Sequence, residues 1–308
     1  MTHQPRDVAG LPGPAVKRSD ALDEVKRPSP SGRTKGGVRI SAIAAHAALI
    51  ALGLLFMAPA LFMVSTSLQS DSQVFSGTIH WMPRPIVWAN YSSALQYFPF
   101  WLYLRNTLII CIGTVVGTVV SAALPAYGFS RLRWKGRDAL FFLMIATIML
   151  PGQVTMLPIF LMFRSLGWSG TFLPLIVPAF FGNAFSIFLL RQFFLGIPQE
   201  LSDAARIDGC SELGIFWHII LPLARPALAT VSLFAFMGAW TDFQGPLIYL
   251  HDERLYTLAI GLNGFLGRHG SEWNLLMAAS TVVTLPLIVA FFFTQRTFIQ
   301  GIALTGGK

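Results

Sequence analysis

Charged residues are scarce in this sequence. Asp, Glu, Lys and Arg supply 12% of its 308 residues, while 54% are hydrophobic. Soluble domains carry about twice that share of charge, so an ordinary water-soluble domain is excluded. Cysteine is nearly missing: Cys111 and Cys210 are the whole complement, which excludes a disulfide framework and a cysteine-built metal site. His46, His80, His251 and His269 fall in separate segments, and His218, between Trp217 and Ile219, reads as a packed or interfacial residue. No cluster of Cys, His, Asp and Glu has metal spacing, and no Ser/His/Asp constellation can be assembled. The phosphate-cradling pattern G-x4-G-K-[ST] is also missing, so the chain has no nucleotide site of that kind. The net charge of +8 does not point to nucleic acid, because the bases are confined to particular loops with no aromatic interleaving on one face.

What the sequence has is long apolar runs. A helix needs about 20 apolar residues to cross a bilayer, and six stretches meet that length: roughly 40–66, 104–129, 139–163, 172–195, 225–250 and 273–295. The third is interrupted by Pro151 and Pro158, and the fourth contains Pro174, Pro178 and Asn183. The expected fold is therefore all-α and polytopic, with the lipid bilayer as its surroundings. Residues 1–39 carry eight bases and almost no periodic apolar residues, and read as a disordered basic tail ahead of a membrane domain over 40–308. The first apolar run starts too late and is too long for a signal-peptide core, so it reads as an uncleaved span. Trp81, Trp88, Tyr91 and Trp101, in and beside the loop 67–100, suit a membrane interface.

Orientation follows from the bases, which favour the cytoplasmic side. With the N-terminus inside, all but five of the 22 Lys and Arg lie in the cytoplasm; Arg84, Arg105, Arg164, Arg254 and Arg268 face out. Both termini are then cytoplasmic, as is the loop between spans four and five. No internal repeat is evident, which gives no support to an inverted-repeat carrier.

That loop, Ile197–Pro222, is a polar island between apolar runs. Pro198 can open a helix. Leu201, Ala204, Ala205 and Asp208 fall at i, i+3, i+4 and i+7, which sets them on one face, mostly alanine, small enough to sit deep in another protein's groove. Gly209 suits the left-handed residue that ends a helix, Ser211 can cap a second short helix, and Pro222 would close it. The expected shape is a helix–glycine–helix elbow.

The run D-A-A-R-I-D-G-C, followed by F, I and P at fixed spacing, resembles the E-A-A loop of membrane subunits of binding-protein-dependent ATP-binding-cassette importers, in particular carbohydrate importers of the maltose-permease second-subunit type. Asp203 stands for the usual glutamate, Gly209 is in register, and Cys210 replaces an alanine. The flanking P-Q-E-L and L-P-L-A-R-P-A-L are similar too, as are N-T-L at Asn106–Leu108, Y-G-F-S-R-L at Tyr127–Leu132 and Q-R-T-F-I-Q-G at Gln295–Gly301. The similarity runs from about residue 45 to the end. It implies a type I importer permease fold and a subunit without enzymatic activity, in the inner membrane. It also implies a second homologous permease, an ATPase dimer that binds ATP and Mg, and an extracytoplasmic sugar-binding protein as partners, with no cofactor in this chain. Carried onto this sequence, Glu200, Asp203, Ala204, Ala205, Arg206, Asp208, Gly209 and Glu212 would couple to the ATPase. Read without the resemblance, the same stretch is an amphipathic connector and its charges a solvated face.

Polar groups within a membrane are costly and invite a functional reading. Trp240, Asp242, Phe243 and Gln244, in G-A-W-T-D-F-Q-G-P, could line a sugar path, since sugars are held by flat aromatic faces and amide or carboxylate hydrogen bonds. Asn183 is a further candidate, Asn263 a weaker one. The plainer alternative is that Trp240 and Phe243 pack between helices and Asp242 sits in water. Two other classes stay open at this stage: a stand-alone secondary carrier or channel for a small polar solute, and a membrane enzyme using Asp242. A carrier should show further intramembrane acids and an enzyme a second acid at the same depth; the sequence offers neither clearly. A phosphorylated substrate would want bases in the path, so a neutral sugar is preferred.

Overall fold

The computed structural model describes residues 35–267 and 272–306, with side chains described over 42–267 and 272–295. Among these residues every regular element is helical. Most of the segment read as a disordered tail lies outside the described residues; the backbone is already helical at Lys35.

The chain divides at Phe56/Met57 into two units. The described part of the first is the beginning of helix α1, Lys35–Ser67, whose Leu49, Ile50 and Phe56 side chains are exposed. The second unit holds the rest of α1 and, among its helices, α2, Phe100–Ser130; α3, Arg137–Ala146; α4, Gly152–Ser165; α5, Ala184–Gly196; α6, Gln199–Ile207; α7, Glu212–Ile215; α8, Arg225–Thr241; α9, Gln244–Tyr249; and α10, Trp273–Gly306. Four stretches are long and apolar enough to cross a membrane: Ala42–Ser67, Phe100–Ser130, Leu173–Gly196 and Trp273–Gln295. Two bent pairs, Arg137–Met149 with Gly152–Ser165 and Glu212–Leu223 with Arg225–Thr241, raise the number to six if each pair is one span.

The expected spans agree with these limits except at the breaks. The third span bends by 96° at Leu150–Pro151, whereas Pro158 stays inside α4 without ending it. The fifth is shorter than 225–250, because Asp242 adopts extended backbone and α9 starts afresh at Gln244. Pro222 does not close the elbow: it lies near the start of a helical turn, Leu221–Leu223, that follows a π-helical stretch over Phe216–Ile220. The bend into α8, 76°, comes at Ala224.

α2 is the central helix. It packs against α5, α8 and the broken stretch before α5. Small residues make this possible: at Gly117 an added Cβ would stand 2.7 Å from Phe180 Cδ2 and 3.1 Å from the Ala179 backbone. Close approach of small residues is how helices associate where water supplies no drive between them. The broken stretch, Leu173–Asn183, runs as a short helix, a 3-10 turn and a Gly182 with φ of 89°. Pro178 has no N–H to offer the Leu175 carbonyl, and the turn at Gly182 ends the 3-10 run after Ala179; inside a membrane carbonyls left so must be satisfied by protein. α2 supplies the donors: Ser121 Oγ bonds the Ala179 carbonyl at 2.8 Å, and Thr114 Oγ1 that of Leu175 at 3.3 Å.

Candidate functional site: a membrane cavity and the elbow beneath it

A cavity of about 450 Å³ lies beside the unwound stretch, between α2, α5 and α8. α2 lines it with Ile110, Thr114 and Thr118, α5 with Phe185 and Ser186, and α8 with Phe234, Ala235, Gly238 and Ala239; Leu175, Asn183 and Asp242 complete it. Two of the polar side chains expected along the path, Asn183 and Asp242, thus meet in one space. Each also stabilises its own turn. Asn183 caps α5, its Oδ1 accepting from the Ser186 amide at 2.9 Å and the Ser186 hydroxyl at 3.1 Å. Asp242 Oδ1 accepts from the Gly245 amide at 3.0 Å. Among the described residues, Asp242 is the single ionisable side chain in the lining, and no base is among it.

The other three path candidates stand elsewhere. Trp240 is buried, and its indole N–H donates to the Val283 carbonyl at 3.1 Å, so it packs α8 against α10. Gln244 is exposed, with its amide 3.0 Å from Met156 Sδ. Phe243 is half-buried outside the cavity lining. The turn at Asp242 is the reason: once α8 ends at Thr241, neighbouring side chains no longer share a direction. Thr114, Thr118 and Ser186, which also offer hydroxyls, were not singled out in the sequence; on apolar helices they read as packing residues.

The elbow has the two arms expected. Pro198 takes the N-cap position, with the helix proper starting at Gln199. Gly209 has φ of 81° directly after α6, and Ser211 Oγ accepts from the Gly214 amide at 3.2 Å to cap α7. The alanine stripe is divided, however. Leu201 and Ala204 are exposed, but Ala205 is 8% exposed and packs inward with Phe194, Ile197 and Ile215. At 100° per residue, Ala204 and Ala205 flank the stripe's centre, and the boundary between core and solvent runs between them. Two outward apolar residues were missed: Ile207 is 87% exposed and Leu213 60%. Both lie off the periodic stripe and break the polar pattern, which was the available signal.

Most of the elbow's charges are satisfied within it. Arg206 donates to Glu212 Oε1 at 2.7 Å and to Asp203 Oδ1 at 2.6 Å, and the Glu212 hydrogen bond holds its guanidinium above the ordinary arginine value. The Tyr127 hydroxyl donates to Glu212 Oε2 at 2.7 Å. Arg131, buried at the end of α2, donates to Gln199 Oε1 at 2.7 Å and to the Phe194 and Ile197 carbonyls at 2.7 and 2.6 Å. Burial pulls its pKa below the usual value, yet an arginine starts so high that it stays charged. Glu200 and Asp208 are exposed, and no ion pair to either occurs among the described residues.

A helical bundle broken around a polar cavity, with a helix–glycine–helix elbow between two of the cavity's helices, defines a membrane permease subunit. Residues 109–304 match the family model of the binding-protein-dependent transport system inner membrane component. The chain belongs to this family and is a multi-pass inner membrane protein. It is 36% identical to the arabinooligosaccharides transport system permease protein AraQ of Halalkalibacterium halodurans, over 68% of this chain and 75% of that protein. It is 31% identical to the sn-glycerol-3-phosphate transport system permease protein UgpE of Yersinia pestis, over 83% and 94%. Among solved structures, one chain of a bacterial ABC transporter involved in importing the acidic polysaccharide alginate superposes with a TM-score of 0.73 at 26% identity, covering 84% of this chain and 96% of that one.

Proposed function

We propose that this chain forms half of the translocation path of an ATP-driven carbohydrate importer. A second, homologous permease would supply the other half, and an extracytoplasmic sugar-binding protein would deliver the solute. ATP and Mg would be bound and hydrolysed by a separate ATPase dimer, which docks the elbow on the cytoplasmic side; both termini of this chain would lie on that side. The observation that carries the reading is the elbow's outward face. Leu201 and Ile207 are exposed on a helix whose other face is fixed to the core through Ser202 and Ala205. Exposed apolar residues on a segment outside the bilayer mark an interaction surface.

In this reading ATP closes the ATPase dimer, the elbow moves with it, and the bundle opens outward to receive sugar; hydrolysis returns it. The cavity's hydroxyls, the Asn183 amide and the Asp242 carboxylate suit a hydroxyl-rich solute, and the absence of a base from the lining favours a neutral one. The test is Ile207→Glu in the assembled importer: binding of the ATPase should weaken at least tenfold while the subunit still inserts. Unchanged ATPase binding and uptake would count against the docking face.

A further inference from the structure

The helices around the cavity are attached to the elbow unequally. α5 runs into it through Ile197, and the elbow passes directly into α8. α2 has no such continuity, since the whole stretch from Arg131 to Asn183 separates its end from α5. Yet α2 supplies Ile110, Thr114 and Thr118 to the cavity wall. Among the described residues, two of its side chains bond the elbow itself, while Arg191 of α5 donates to the Phe129 carbonyl at 3.1 Å and so ties the end of α2 to α5 rather than to either arm. Arg131 holds Gln199, which opens the first arm, and the last carbonyls before it; Tyr127 holds Glu212, which opens the second. Arg131 is 7% exposed, and the three bonds from its two terminal nitrogens all go to residues 194–199 at the elbow's entry.

We propose that Arg131 and Tyr127 are positioning residues that make α2 travel with the elbow. A displacement of the elbow reaches α5 and α8 through the covalent chain. It reaches α2 through these bonds, and then runs about 20 Å along the helix from Arg131 to Thr118 at the cavity. Without them the α2 wall lags behind the other two, and the cavity deforms rather than opening. Ala122, Ala123, Ala126 and the Tyr127 ring also pack in one apolar cluster with the elbow core, the ring 5.2 Å from that of Phe216, but this packing is less directional than the hydrogen bonds and is kept in Tyr127→Phe. This inference rests on the elbow being the ATPase dock.

The experiment uses the importer assembled with its partner permease and ATPase in nanodiscs, nucleotide-free and trapped with ATP, Mg and vanadate. Spin labels at exposed Val120 on α2 and exposed His218 in the elbow report their separation. In the wild type that separation should hold constant between the two states. In Arg131→Gln and in Tyr127→Phe it should shift on trapping by about 2–5 Å, the scale of helix shifts in switching proteins. Tyr127→Phe removes one oxygen and keeps the ring, so it reports even if Arg131→Gln fails to assemble. A shift in the wild type, or constant separation in the variants, overturns the proposal. A third label at Ile207 separates the two readings: if it stays mobile when the ATPase is added, the docking reading fails, and if it is immobilised, a negative result counts against the brace alone.

Discussion

The two ends of α2 are both held by side-chain hydrogen bonds, and the contrast between them is instructive. At the Phe100 end, Asn106 Nδ2 donates to the carbonyls of Arg254 and Tyr256 at 2.8 and 3.0 Å, and Thr107 Oγ1 accepts from the Leu258 amide at 3.0 Å. These are neutral groups gripping the backbone of a single loop, and they fix its shape whatever residues it carries. At the Ser130 end each tie has one charged member, the Arg131 guanidinium or the Glu212 carboxylate that accepts from the Tyr127 hydroxyl, and together they reach two arms separated by a glycine joint. A neutral side chain bonded to backbone makes a local anchor. A buried guanidinium reaching several partners joins elements that could otherwise move apart.

The comparison can be broken in four places, each with a different expected cost. Ile215→Ala removes a fully buried side chain from the elbow core, and such truncations cost about 2–5 kcal/mol; limited proteolysis should cut the elbow first. Asn106→Leu leaves two carbonyls short of a donor, at about 1–3 kcal/mol. Hydrogen exchange should then rise over residues 252–258 and stay unchanged in the elbow. A rise in both would mean that the ends are not independent. Tyr127→Phe removes one hydrogen bond to a carboxylate, at about 1.5–3 kcal/mol at most, and should quicken exchange in α7 while sparing the 252–258 loop. Asp138→Ala breaks an exposed pair with Arg137 and should leave melting of the purified subunit unchanged, since such pairs contribute little.

How much of this was written in the sequence depends on what each signal measures. The spans were legible because apolar length is a property of one segment. The elbow's turn chemistry was legible for the same reason: Gly209 and Ser211 act on their own backbone. The burial of Ala205 was not, because the stripe that contains it is also the boundary between core and solvent, and only the packing of Phe194 and Ile197 decides which side it takes. At the cavity, Asn183 and Asp242 stood out as polar residues in apolar surroundings. Trp240 misled because an aromatic ring suits a sugar and a helix interface equally, and the Val283 carbonyl that claims its N–H is far away in sequence. Arg131 was read as one base among several that set orientation; its partners lie in α5 and α6.

The hydroxyls of Thr114 and Ser121 have one more effect. They satisfy the carbonyls of the interrupted stretch from inside the protein, so that stretch does not depend on solvent to keep its shape. In the proposed path, solute and water would pass beside a stretch that stays folded in either condition.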